Sequence, residues 1–322
     1  MRSFRLALSA ALRLAALLLL AAAPELRAEP GRTAATTLQM TMSARALGMG
    51  EAFCAVMGGL DSLNYNPAGI TVIPRPELST SYASGIAGDG YGALGYAHPL
   101  SAATLAGELL YYSAGDVNLS YSDGTQRKVT AQRDMLGMVS VGVPLGWGLS
   151  AGGTGKFFRL ELAEEARTTG YAADLGALWQ TPLKGLDVGA SVRNMGPDVK
   201  FEQDGDPLPL ALRLGAAYSF DLARRGFFKE GGYGISRLLV AADGVKVRDE
   251  DGWKPTAGLE IGMGLGEQTF GALRFGYMFS LDTGYLTFGV GLRQGRWVFD
   301  YALAAMRGDV SNTHHFTLGV KF

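Results

Sequence analysis

Three histidines, His98, His314 and His315, and a single cysteine, Cys54, are the side chains that would bring nitrogen or sulfur to a metal, or nucleophilic and acid–base work near neutrality. Their spacing offers little. His314 and His315 are neighbours, so in an extended segment they point to opposite faces and cannot easily share one ion. Cys54 has no second cysteine to bridge and reads as a small buried apolar side chain. Gly262, Gly264 and Gly266, like Gly289, Gly291 and Gly295, resemble nucleotide-binding loops only in isolation. Each set lies in an alternating run without a strand–turn–helix context, and reads as lumen-facing strand glycine. No catalytic residue, metal ligand or cofactor is therefore assigned, and the chain is not expected to be an enzyme.

The richer constellation is ionic. Lys156, Asp174, Asp187, Arg193, Arg213, Asp243, Glu260, Arg274, Arg293, Asp300 and Lys321 fall on the polar or small face of alternating segments. They would all point into one interior. Arg213, Glu260, Arg274, Arg293 and Asp300 are the candidate lumen polar residues. Their mixed signs suggest mutual pairing that ties a wall to an inserted segment; the sharper use is to line a solute path. The charges between Asp116 and Arg133 read instead as solvated external loop.

Such a wall needs strands, and the period supplies them. Phe316, Leu318, Val320 and Phe322 alternate with His315, Thr317, Gly319 and Lys321. Leu286, Phe288, Val290 and Leu292 do the same against Thr287, Gly289, Gly291 and Arg293, as do Leu259, Ile261, Met263 and Leu265 against Glu260, Gly262 and Gly264. An amphipathic helix would repeat its apolar residues at three and four. One face almost wholly apolar and the other mixing glycine with charge predicts a transmembrane antiparallel β-barrel, whose outside meets lipid. A soluble β-sandwich, the competing fold, would put its charged face in solvent. Strands are expected near 77–84, 90–98, 103–113, 134–145, 148–160, 170–181, 185–195, 209–220, 234–246, 254–265, 269–279, 284–294, 296–306 and 313–322, about fourteen in all. Aromatic residues near strand ends would form girdles at the membrane interfaces.

Loop lengths give a partly independent check. The third-to-fourth, fifth-to-sixth, seventh-to-eighth, ninth-to-tenth and last connections are expected to be long or polar, with short turns between them. Two connections depart from this rule: 221–233 is long where it should be short, and 280–283 short where it could be long.

Composition agrees. Glycine is the outlier, 46 residues spread along the whole length, which no helical protein tolerates easily. Charged residues make up 18% with a net charge of −1, which speaks against a nucleic-acid partner. Arg2, Arg5 and Arg13, an apolar run from Leu14 to Ala23 and a small residue at Ala28 match a secretory signal over 1–28. The run is about half a membrane-spanning helix. The domain plan is thus a signal peptide at 1–28, an N-terminal plug segment at 29–75 and a barrel at 76–322.

The plug segment does not alternate. Over 41–72 it contains a short helical stretch bounded by glycines and then Asn64, Asn66, Pro67, Ala68 and Gly69, where Pro67 fixes its own φ and restricts Asn66. ARALGMGEAF at 44–53 and LNYNPAGI at 63–70 resemble the PorV/PorQ family and the related FadL-type long-chain fatty-acid transporters. That resemblance implies an N-terminal element tucked into a fourteen-stranded barrel of the cell outer membrane, with Asn66, Pro67 and Ala68 in its most recognisable motif. Weaker echoes are LPLALRLGAAYSF at 208–220 and the C-terminal segment, where Phe316, Leu318, Val320 and Phe322 look like a signal for the barrel-assembly machinery. Glu51 and Cys54 depart from the family's smaller or more hydrophobic residues. The resemblance implies a role in transport or secretion, with outer-membrane lipid as surroundings and secreted or surface proteins as partners. The alternative is a FadL-like channel that takes up hydrophobic small molecules such as fatty acids.

Overall fold

The computed structural model describes residues 33–322, save 86–88, 123, 202–204, 223–227, 230–232, 251, 280–284 and 306–311. The expected signal segment, 1–28, lies outside the described residues. Fourteen strands form the wall: β1 Glu77–Ser84, β2 Gly90–Pro99, β3 Thr104–Ser113, β4 Gln132–Gly146, β5 Leu149–Leu162, β6 Ala166–Gln180 and β7 Leu186–Met195. They continue with β8 Ala211–Asp221, β9 Tyr233–Val247, β10 Lys254–Leu265, β11 Thr269–Met278, β12 Tyr285–Gln294, β13 Trp297–Ala305 and β14 Thr313–Lys321. Each pairs antiparallel with its neighbours in sequence. The last closes on the first, in register from Glu77↔Lys321 to Ser84↔His314. An even-numbered closed meander leaves no open edge and places both barrel termini at the same end.

The alternation that predicts the strands sets the burial. Leu286, Phe288, Val290 and Leu292 on β12, and Phe316 and Leu318 on β14, face outward and are exposed, whereas Thr287, His315 and Thr317 are buried inside. Exposed aromatics gather near the two rims, Tyr96, Trp179, Tyr233 and Trp297 at the end that carries the termini and Tyr82, Tyr111 and Tyr171 towards the other. An apolar band with aromatic borders is what a wall against hydrocarbon requires.

One connection expected to be long or polar is polar but not long. The strands β5 and β6 run on through Glu161 and Arg167 and meet in a turn of three residues at 163–165, with Ala163 and Glu164 at positive φ. The charged residues there hide the apolar period from sequence, but they lie beyond the apolar band, where ladder hydrogen bonds continue without it. The third-to-fourth connection is itself a hairpin off the wall, Asp116–Ser120 paired with Gln126–Thr130. The long connection at 221–233 includes Phe228–Lys229, which pairs back onto the start of β9. The loop expected over 280–283 lies outside the described residues.

The segment before β1 folds inside the ring. It holds one short α-helix, α1 (Ala44–Gly48), and three 3₁₀ turns, Thr36–Gln39, Leu60–Ser62 and Pro67–Val72. Phe53, Cys54, Leu63, Asn66 and Ile70 of this plug are among the most deeply buried residues.

Candidate functional site: a plug between two cavities

Two of the plug's turns are capped by side chains. Ser43 caps α1 by accepting from the Ala46 amide, and its hydroxyl donates to Asp61. The chain then reverses through Gly50 and Glu51, both at φ near +60° (60° and 59°). Asn66 caps the turn that follows it: its Oδ1 accepts from the Ala68 amide at 3.1 Å, with Pro67 at the first helical position, where a missing N–H costs nothing. Its Nδ2 donates to the Cys54 carbonyl at 2.8 Å and to the Ala177 carbonyl of β6 at 2.9 Å. One neutral amide thus fastens the plug to itself and to the wall.

The wall meets the plug through glycine. A Cβ on Gly152 would lie 2.4 Å from the Pro67 carbonyl carbon, and one on Gly176 2.0 Å from Asn66 Oδ1. One on Gly258 would lie 2.3 Å from the Met49 oxygen, and one on Gly276 2.0 Å from the Gly50 nitrogen. Register makes these a belt: Gly142↔Gly152↔Gly176 are direct partners, as are Gly189↔Gly215↔Asp243 and Gly258↔Gly276. At Asp243 the belt offers a carboxylate, whose Oδ2 accepts from the Phe53 and Cys54 amides at 2.9 Å each and from Arg213 Nη1 at 3.0 Å.

The interior charges fall into three groups. Glu260 accepts from Arg45 of α1 at 2.9 and 3.1 Å, from Arg274 at 2.8 Å and from Arg237; Arg274 also reaches Asp300 at 2.5 Å. Arg213 pairs with Asp243, donates to the Glu51 carbonyl at 2.6 Å and stacks over the Tyr65 ring. Lys156 pairs with Asp174 at 2.7 Å, and Arg193 lies 3.8 Å from the same carboxylate. Arg293 stands apart, over the Phe270 ring at the termini end, and Lys321 pairs with Glu77 there. Of the five candidate lumen residues the structure therefore brings together Glu260, Arg274 and Asp300, puts Arg213 in a second group and leaves Arg293 near a mouth. Asp187 lies on the same inward register of β7 as Gly189.

Sequence reasoning missed Arg45, Asp61 and Arg237, and the contact of Asn64 with Glu108 at 3.3 Å. Arg45 was visible as the one basic residue in a short run of small and apolar residues. The adjacent histidines separate as expected: His315 lies inside, 3.3 Å from the Tyr91 hydroxyl, and His314 outside by Tyr301. Burial holds the Glu51 carboxyl above its ordinary range, against the pull of Arg213, and pushes the Cys54 thiol far up.

Cavities lie on both sides of the plug. The one towards the loop end measures about 500 Å³ and is lined by Met40, Leu47, Glu51, Tyr91, Met278 and Phe279 among others. The one towards the termini end measures about 400 Å³, with Arg45, Asp61, Arg237, Glu260, Arg274 and Arg293 on its walls. The stretch from α1 to Glu51 is the septum between them, with Arg45 facing one side and Leu47 and Glu51 the other.

A closed fourteen-stranded barrel with an N-terminal plug is the fold of FadL-type outer-membrane channels, and solved structures bear this out. The chain superposes on the CymD monoaromatic hydrocarbon channel with a TM-score of 0.59 at 12% identity, covering 87% of this chain and 97% of that one. A Pseudomonas putida toluene transporter, TodX, gives 0.57 at 11%, over 86% and 97%, and a Pseudomonas aeruginosa FadL homologue 0.54 at 10%, over 88% and 98%. At such identities the likeness is one of fold. No family model matches the sequence, and no curated protein does, so the resemblance to PorV/PorQ rests on the residues quoted for it.

Proposed function

We propose that this protein is a FadL-like channel of the outer membrane that passes hydrophobic small molecules. The observation that carries the reading is the septum: one short plug segment separates two cavities within a single closed ring. The outer cavity is within the usual few-hundred to ~1,000 Å³ range of small-molecule sites, and Leu47, Met278, Phe279 and Met40 give it apolar wall. Passage into the inner cavity then requires the septum to shift, and the ion pair of Arg45 with Glu260 is one part of its hold on the wall, beside the close contacts of Met49 and Gly50 with Gly258 and Gly276. The hydrocarbon channels of the same fold support the choice of solute class. A secretion platform of the PorV/PorQ kind has no comparable feature among the described residues to favour it.

The test is reconstitution of the full chain in liposomes with a fluorescent fatty acid and a monoaromatic solute. Saturable binding, and flux that rises in Arg45→Ala, are expected. A barrel that neither binds nor passes either probe, with or without that change, would reject the reading.

A further inference from the structure

The outward wall carries few formal charges, and most lie on three adjacent strands. By register, Ser113, Arg133, Glu161 and Arg167 form one row across β3–β6. The next row towards the termini is Tyr111, Met135, Arg159 and Thr169, and the one after is Leu109, Gly137, Phe157 and Tyr171. Side chains two apart on a strand share a face about 6.5–7 Å apart. The top row is therefore polar, the bottom row lies in the apolar band, and Arg159 belongs to the row between.

Glu161 is shared by the two upper arginines, 3.1 Å from Arg167 and 3.9 Å from Arg133. The acids of the neighbouring turn are turned away: Glu164 pairs with Arg127 of the off-wall hairpin, and Glu165 accepts from Tyr121. Arg159 is exposed and has no hydrogen-bond or ionic partner among the described residues. Three guanidiniums thus face one carboxylate, and the unpaired one is the deepest. A solvated charged rim accounts for the top row but not for an unpaired cation level with Met135, which is 57% exposed, and one step above Phe157, at 62%.

We propose that this patch binds the phosphate of an anionic lipid headgroup in the leaflet facing the loops. Arg159 is the direct contact, Arg133 and Arg167 flank it, and the lipid chains lie along Leu109, Phe157 and Tyr171. The planar guanidinium fork suits phosphate oxygens, and the neighbouring apolar rows hold the chains. The orientation rests on the membrane-channel reading; the solute path does not enter the argument.

The purified full-length protein in detergent, with its fold verified by heat-modifiable migration, is titrated with diphosphorylated lipid A or with phosphatidylcholine, and bound lipid is counted by native mass spectrometry. Preferential retention of lipid A is expected. Arg159→Gln should weaken it on the order of five-fold, and the triple change R133Q/R159Q/R167Q on the order of a hundred-fold. Lys246→Gln, an outward charge on β9, should leave it unchanged. Equal retention of the two lipids, equal loss in K246Q, or undiminished binding in the triple variant would each overturn the proposal. Binding of the fluorescent fatty acid, read in the same samples, separates the two ideas: its absence beside retained lipid A counts against the channel alone.

Discussion

The two halves of the plug share close contact with the wall but differ in what accompanies it. From Phe53 to Ile70 the plug lies backbone against backbone on β4–β8, with Pro67 on Gly152, one neutral amide, Asn66, bonding both sides, and Asp243 of β9 accepting from the Phe53 and Cys54 amides. From α1 to Glu51 it also packs closely, with Met49 on Gly258 and Gly50 on Gly276, but ion pairs centred on Glu260 share the hold and a cavity lies on each side. Contact without a cavity on both sides leaves no alternative arrangement nearby, so the first half reads as an anchor. Charges beside cavities can be resolvated as they part, so the second reads as the part that yields.

The strongest way to break that contrast is to fill the belt. Gly152→Val should lower stability by about 3 kcal/mol or more, since its side chain meets the Pro67 and Ala68 backbone. Gly155→Val, three residues along β5 with open space at its Cβ, should be tolerated. Folded yield by heat-modifiable migration compares the two, and equal yields would remove the belt's role. Next comes Glu260→Gln, which strands Arg45 and Arg274 and should cost about 3 kcal/mol. Its signature should be raised flux while Cys54, fully buried in the anchored half, stays unreactive to a maleimide. Asn66→Ala removes a cap, one bond to the wall and one within the plug, for about 2 kcal/mol, and should do the reverse, exposing Cys54 to the reagent. If both variants label alike, the plug moves as one body and the distinction fails.

The smallest effect concerns Glu51. Its folded pKa lies above the unfolded one because burial disfavours the anion. The protonated form is therefore favoured on folding, and its stabilisation is full below the unfolded value and is lost as pH rises through the folded one. Thermal unfolding followed from pH 4 to 8 should lose part of its downward slope in Glu51→Gln; superimposable slopes would show that the charge is compensated.

The wall was legible because lipid imposes the period. Glu77–Ser84 and Lys254–Leu265 fall where the alternation put them, most other ends differ by one or two residues, and the largest drift, at the start of β6, comes where Arg167 lies beyond the apolar band. The meaning of the glycines was half legible. Period two gives the inward face of Gly152, Gly176 and Gly276, but which segment lies against them depends on register between strands far apart in sequence. The ion pairs were legible as a set of inward charges, not as partners, since Arg45 and Glu260 are separated by 215 positions and nothing local joins them.

The seam between β1 and β14 has a consequence for assembly. The ring closes only when Thr313–Lys321 reaches Glu77–Ser84, so the plug, which precedes every strand, must already lie within the curling sheet when the final strand arrives. Enclosure is then a matter of timing: contacts of very long sequence separation form last, after the costliest loop closure. A chain cut short before β14 would keep thirteen strands and still lose its hold on the plug, because an open sheet gives the segment a way out.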